Sequence, residues 1–241
     1  FPSTACVLQD RLGARRAGAF DLSAACSGFV YALATGAQLI EGGVYNNVLV
    51  VGAETLSKIV NWQDRSTCVL LGDGAGAAVL QPGEDGQGLL GFYLGADGSG
   101  GDLLKLPAGG SRLPASERTV REGLHYVHMN GREVFKFAVK AMGEAAQAAL
   151  DACGLSFADV DYYVPHQANY RIIEASARRF GLPMDRVYVN IDRYGNTAAA
   201  SIPVALDEAL SQGKIRPGHL VLMVSFGAGL TWAAAAMSIS C

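Results

Sequence analysis

Three side chains in this sequence, Cys26, His166 and Asn196, stand where an apolar run gives way to a helix, the place where a fold can aim a reactive group. Cys26 lies in Ala24-Ala25-Cys26-Ser27-Gly28-Phe29, between the apolar stretch Ala17–Leu22 and an Ala/Leu-rich helix expected to run to about Leu39. A thiol at a helix start faces unpaired N–H groups and the positive end of the dipole, which favours thiolate near neutral pH. Its small neighbours leave room for a substrate; the competing reading is a buried structural cysteine. His166, in Val164-Pro165-His166-Gln167-Ala168-Asn169, closes an apolar strand at the end where open α/β sheets present ligand-binding groups. Asn196, in Arg193-Tyr194-Gly195-Asn196-Thr197-Ala198, repeats that arrangement, although an asparagine there can equally cap the following helix.

Taken together, the three suit one chemistry. A thiolate accepts an acyl group from a thioester and forms a thioester of similar energy. A histidine and an asparagine supply two N–H donors that can hold a carbonyl oxygen as it becomes enolate-like when a malonyl group loses CO₂. A Cys-His-Asn hydrolase uses the same residue types. The apolar, Gly/Ala-rich surroundings weigh against it, because hydrolysis needs an activated water.

The elements that must position these groups read as follows. The first half is expected to form helix 4–13, strand 17–23, helix 26–41, strand 47–53 and, over 67–80, two strands around a glycine turn. Pro82, Gly83, Gly86 and Gly88 mark the best internal boundary. The second half is expected to form strand 89–95, a long loop 97–122, helix 130–153, strand 160–165, helix 168–180, strand 186–191, helix 197–212 and a strand pair within 219–239. Leu71–Leu80 resembles Phe226–Ala235, and both halves start a helix just after a candidate site residue, which predicts a duplicated unit whose helix starts meet at a pseudo-twofold axis.

Composition bounds the rest. Half of the 241 residues are hydrophobic and 17% are charged, which describes a globular chain with buried sheet. A net charge of −3 gives no global attraction to nucleic acid or an anionic membrane, so an acidic partner needs a local basic patch. Five cysteines, at 6, 26, 68, 153 and 241, form no C-x-x-C pair, which argues for a reducing compartment and against a disulfide framework or zinc site. Leu220–Cys241 carries no charge over 22 residues, but Gly227, Gly229 and several hydroxyls suit two buried strands better than a membrane span. No signal peptide is evident.

Five segments, Ala25-Cys-Ser-Gly-Phe29, Gly72-Asp-Gly-Ala-Gly-Ala-Ala-Val79, Val164-Pro-His-Gln-Ala-Asn169, Gly195-Asn-Thr-Ala-Ala-Ala-Ser201 and Phe226-Gly-Ala-Gly-Leu-Thr-Trp232, resemble β-ketoacyl-acyl carrier protein synthase III of the thiolase-fold family, in order and over essentially the whole chain. The resemblance implies an α/β thiolase fold, layered α-β-α-β-α from two half-repeats, here 1–85 with Cys26 and 86–241 with His166 and Asn196. It implies decarboxylative condensation of acetyl-CoA, or another short acyl-CoA, with malonyl-acyl carrier protein, without cofactor or metal, in a cytoplasmic homodimer that starts type II fatty-acid synthesis and binds neither nucleic acid nor membrane. A relative using another starter or acceptor, in polyketide or signalling-molecule synthesis, is the alternative; a catalytically silent partner subunit is disfavoured because all three polar groups are present.

Carried over by residue, Cys26 is the acylated nucleophile and His166 with Asn196 the decarboxylation pair. The backbone N–H groups of Cys26 and Ala228 hold the acyl oxyanion, and Phe226 packs beside the site. Arg65 stacks on the CoA adenine, while Asn169 and Arg171 line the pantetheine tunnel. Phe1 reaches into the partner's primer pocket, and Lys136, Gln167, Arg171, Arg178 and Arg179 form the carrier-protein rim. The chain opens on Phe1-Pro2-Ser3-Thr4 without a Met, and relatives have a segment before this point, so the expectation is a fragment whose first half-repeat is incomplete.

Overall fold

The computed structural model describes residues 1–240. In chain order it contains α1 (Thr4–Arg11), α2 (Gly28–Glu41), β1 (Val48–Thr55), β2 (Asp73–Leu80), β3 (Gly88–Ala96), β4 (Leu104–Lys105), α3 (Glu117–Arg121), β5 (His128–Met129), α4 (Gly131–Asp151), β6 (Tyr162–Pro165), α5 (Tyr170–Phe180), α6 (Ile191–Tyr194), α7 (Ser201–Ser211), β7 (Leu220–Gly227) and β8 (Thr231–Ser238). Short 3₁₀ turns at Ala25–Ser27 and Ala198–Ala200 lead directly into α2 and α7.

Two of the three sheets alternate with two helical layers, and the third is the short β4–β5 pair. The larger sheet has strand order β3-β8-β7-β6, with β6 and β7 parallel and the other pairs antiparallel. Strand alternation divides its side chains. Tyr163, Leu222, Val224, Ala234 and Ala236 pack against Met142, Ala145 and Ala149 of α4 and Ile173 and Phe180 of α5. Tyr162, Val164, Val221, Met223, Ala233 and Ala235 face Phe29, Val30 and Leu33 of α2 and Ile202, Ala205 and Ala209 of α7. Burying both faces explains why β7 is a continuous apolar run rather than an alternating one. The β1–β2 pair covers the far side of α2 and α7, with Val50 in the same core and Leu49 and Val79 exposed on the opposite face.

The strongest helices follow their end signals. Asn130 accepts from Glu133 N at 3.4 Å to open α4, and Asn169 accepts from Arg171 N at 2.8 Å to open α5. Gly181, at φ 70°, closes α5 in the left-handed conformation.

Four expectations change. Ala17–Ser23 forms no strand, having no ladder partner among the described residues. The stretch 186–191 makes one parallel bridge, Val187 to Tyr163, and then turns into α6. The 97–122 segment holds two short helical pieces and β4. Residues 67–80 form one strand preceded by turns, because Gly72, Gly74 and Gly76 serve contact rather than reversal: side chains there would meet Tyr194 O, Thr197 Cγ2 at 3.1 Å and Pro203 Cβ at 2.8 Å. The segment 194–203 therefore rests directly on β2.

Candidate functional site

Cys26 is the middle residue of the 3₁₀ turn Ala25–Ser27, one residue before the α2 cap. Ala25 adopts φ 48°, a conformation that costs a non-glycine residue energy and that tilts the next residue out of the helix path. The end of β7 lies beneath this turn. A side chain on Gly227 would stand 2.6 Å from Cys26 N and 3.2 Å from Ser27 N, so only glycine fits. Thr231 Oγ1 donates to Ala24 O at 2.8 Å, and Asp97 exchanges two backbone hydrogen bonds of 2.8 Å with Leu230, which holds the turn between β7 and β8 against the Cys26 segment. Among the described residues, neither Cys26 N nor Ala228 N donates to a backbone carbonyl, which leaves both free to hold an oxyanion.

Opposing effects act on the Cys26 thiol. Burial pushes the thiol up to about 12, the charge of Glu54 adds to the rise, and its own backbone N–H offsets only part of it. Glu54 ends the inner face of β1, accepts from Ala199 N at 3.4 Å, and is itself held above the usual carboxylate range by burial. The helix start acts in the opposite direction, toward the thiolate, because Cys26 lies in the turn that leads into α2.

His166 follows β6 and extends its pairing with β7 through His166 N donating to Val224 O at 2.8 Å. Only 1% exposed, it sits edge-on to Phe226, with ring centroids 5.6 Å apart, and its Nδ1 lies 2.7 Å from Ser201 Oγ at the start of α7. Burial lowers its pKa to about 3, so the imidazole is neutral across the physiological range. Asn196 is stitched to the approach of β2 by Asn196 N donating to Leu70 O at 2.7 Å and Gly72 N donating to Asn196 O at 2.9 Å. Its Oδ1 accepts from Ala198 N at 2.8 Å, which fixes the amide orientation and leaves Nδ2 as a donor.

These elements converge. A Cβ on Gly28, at the start of α2, would stand 3.5 Å from Ala199 Cβ, so the turn carrying Cys26 abuts the turn opened by Asn196, and Ser201 of the same segment holds His166. The predicted meeting of the two helix starts is observed. Two buried hydroxyls here, Ser27 Oγ and Ser225 Oγ, have no protein partner among the described residues. Sequence reading quoted Ser201 within a motif but gave it no role, and passed over Glu54; both act across contacts that local spacing does not reveal.

The outer residues fare unevenly. Arg65 is exposed and forms no ion pair among the described residues; Asp64 instead accepts from Ser66 N, Ser66 Oγ and Thr67 Oγ1. Asn169 caps α5, Arg171 is exposed beside it, and Phe1 is fully exposed. Lys136 pairs with Glu133 at 2.8 Å, Arg178 stands 3.8 Å from Glu174, and Arg179 donates to Val139 O on α4 at 3.2 Å. Gln167 is withdrawn from the docking rim. It is 1% exposed, its Nε2 donates to Pro165 O and Tyr188 O, and its Oε1 accepts from Asn190 N, so it braces the loop after β6. No helix among the described residues is long and apolar enough to cross a membrane.

Comparison with known proteins agrees with this geometry. The family profile described as 3-oxoacyl-[acyl-carrier-protein (ACP)] synthase III matches residues 20–98, and that for the C terminal region of the same family matches 150–239. The chain is 59% identical over 240 residues to β-ketoacyl-[acyl-carrier-protein] synthase III of Caldanaerobacter subterraneus subsp. tengcongensis, covering 100% of this chain and 72% of that protein. Its structure is similar to that of β-ketoacyl-[acyl carrier protein] synthase III from Thermus thermophilus, with TM-score 0.91 and 52% identity over 99% of this chain and 73% of the other. The priming β-ketosynthase of the R1128 polyketide pathway matches with TM-score 0.89 and 38% identity, over 100% of this chain and 71% of the other. Shared sequence, shared thiolase-type layering and the meeting of the segments that carry Cys26, His166 and Asn196 lead to one conclusion: the chain belongs to the β-ketoacyl-acyl carrier protein synthase III family.

Proposed function

We propose that this protein carries out the initiating condensation of type II fatty-acid synthesis, joining an acyl-CoA, acetyl-CoA in the first instance, to malonyl-acyl carrier protein through an acyl-Cys26 intermediate. In the first half-reaction the Cys26 sulfur attacks the acyl-CoA carbonyl. The oxyanion is held by the N–H groups of Cys26 and Ala228, and CoA departs as the thiol, taking up the proton that Cys26 gives away. The proton passes from one sulfur to the other, so this half-reaction balances without any other group changing charge.

In the second half-reaction malonyl-acyl carrier protein binds with its thioester oxygen between His166 Nε2 and Asn196 Nδ2. The bond to the carboxylate breaks, CO₂ leaves, and the electron pair becomes an enolate stabilised by those two donors. The enolate carbon then attacks acyl-Cys26, forming the new carbon–carbon bond and expelling the Cys26 thiolate, which takes up one proton from water to restore the free enzyme. A neutral imidazole suits a donor that must not surrender its proton. Phe226 packs edge-on against that ring.

The observation that supports this reading most is the contact between the two helix starts, Gly28 against Ala199, with Ser201 fastening His166. Arg65 is assigned to the CoA adenine, Asn169 and Arg171 to the pantetheine arm, and Lys136, Arg171, Arg178 and Arg179 to a basic rim for an acidic carrier protein. Arg179 contributes its charge from a position braced on α4. A cytoplasmic homodimer, with Phe1 reaching the partner's primer pocket and neither nucleic acid nor membrane bound, completes the assignment.

Incubating the protein with acetyl-CoA and malonyl-acyl carrier protein is expected to yield acetoacetyl-carrier protein, CO₂ and free CoA in equal amounts. Release of acetate without a carbon–carbon bond would instead establish a hydrolase.

A further inference from the structure

The roles of His166 depend on which ring nitrogen holds its one proton, and that choice is made by a residue 35 positions away. With the proton on Nε2 the ring donates into the site; with the proton on Nδ1 the site would face a bare lone pair, suited to removing a proton rather than stabilising an enolate. His166 Nδ1 has one partner, Ser201 Oγ at 2.7 Å, and both residues are buried, at 1% and 2% exposure. The same Ser201 oxygen already accepts from Gln167 N at 3.3 Å. Among the described residues, no acceptor other than Nδ1 lies within hydrogen-bond reach of that hydroxyl.

The hydrogen-bond balance then has one economical solution. If Nδ1 carried the proton, Ser201 Oγ would accept twice, and its own hydrogen would be buried with no acceptor, a costly arrangement. If Ser201 donates instead, its oxygen accepts from Gln167 N, its hydrogen goes to Nδ1, and every group is satisfied. Gln167 is itself pinned by Pro165, Tyr188 and Asn190, so its N–H is held in place against Ser201. Ser201 is the first residue of α7, directly after the turn that Asn196 opens, so one rigid segment orients both donors.

We infer that Ser201 is a positioning residue that fixes His166 as the Nε2–H tautomer, and so selects enolate stabilisation over proton abstraction at this site. The inference rests on the donor role proposed above for His166.

The test is nitrogen-15 NMR of histidine-labelled intact enzyme combined with separate measurement of the two half-reactions. His166, assigned by its loss in His166→Ala, should give the signals of a single Nε2–H tautomer. In Ser201→Ala those signals should move toward a tautomer mixture. Decarboxylation of malonyl-acyl carrier protein should fall about tenfold, the scale of one lost hydrogen bond, while acetyl uptake by Cys26 stays close to the parent; the melting temperature should fall as well, because the buried Gln167 N–H loses its acceptor. Ser201→Thr, which keeps the hydroxyl, should recover the Nε2–H signals and most of the rate. An Nδ1–H tautomer in the parent enzyme would overturn the inference, as would a Ser201→Ala variant with unchanged tautomer and unchanged decarboxylation. If His166→Ala itself decarboxylates normally, the donor role fails first, and that failure is distinguishable because it does not involve Ser201.

Discussion

The turns that open α2 and α7 share a backbone and differ in what they present. Each begins with an alanine in the left-handed region, Ala25 at φ 48° and Ala198 at φ 45°, follows a residue at ψ 28°, and runs through three residues of 3₁₀ helix into a buried α-helix. Each rests on a strand glycine, Gly227 beneath Cys26 and Gly52 beneath Ala199. The middle position is a thiol in one and a methyl in the other. Beside the methyl, the second turn supplies donors from its flanks: Asn196 before it, and Ser201 after it, acting on His166. In the proposed mechanism one frame carries the acylated Cys26 and its counterpart the donors for the second substrate.

The largest effects should come from breaking the chemical asymmetry itself. His166→Ala and Asn196→Ala are each expected to lower condensation by about 10²–10³, the usual cost of one preorganised donor, while acetyl still loads onto Cys26. Measuring both half-reactions checks this; loss of loading with normal decarboxylation would reverse the roles of the two turns.

Breaking the shared frame should separate the halves more gently. Gly227→Ala drives a methyl against Cys26 N and should impair loading, whereas Gly52→Ala drives one against the Ala199 carbonyl and should impair decarboxylation. Each overpacked site should cost about 1–3 kcal/mol of stability. Thermal melts with half-reaction rates are the readout, and identical defects in both variants would mean that the frame acts as one unit.

Titration distinguishes the turns as well. The pKa of His166 is lowered from 6.5 to about 3, so the unfolded chain binds an extra proton between those values, and stability is lost as pH falls through that window. The Cys26 pKa is raised from 9.0 to about 12, so the unfolded chain releases a proton first, and stability is lost as pH rises above about 9. Denaturation midpoints should follow these signs, with His166→Ala removing part of the acid loss and Cys26→Ala part of the alkaline loss. Decarboxylation should show no inflection from His166 between about pH 5 and 8.

The smallest effect is at the rim. Arg65→Ala should raise KM for acetyl-CoA several-fold with little change for malonyl-acyl carrier protein; equal changes would give Arg65 a structural role. Arg178→Glu with Arg179→Glu should do the opposite at low salt, where exposed charges act furthest.

What could be read from sequence was what local chemistry decides. The helices expected over 130–153 and 168–180 appear as α4 and α5, and the uncharged run through β7 and β8 announces buried strands. The positions of Cys26, His166 and Asn196 at element junctions were legible for the same reason. What escaped is what distant segments decide. Gly72, Gly74 and Gly76 look like a turn until residues 194–203 are laid across them, and 17–23 has strand character without a neighbour to pair with. Burial and the charge of Glu54, 28 residues away, also act on Cys26, and local spacing does not reveal them.

The central claim is that the two turns divide the reaction, with the acyl group on Cys26 alone. Intact-protein and peptide mass measurement after incubation with acetyl-CoA tests it most directly. The account predicts one acetyl group per chain on the peptide bearing Cys26, absent in Cys26→Ala and discharged when malonyl-acyl carrier protein is added. Acetylation of Cys68 or Cys153 instead, or a Cys26 adduct that malonyl-acyl carrier protein leaves in place, would contradict it.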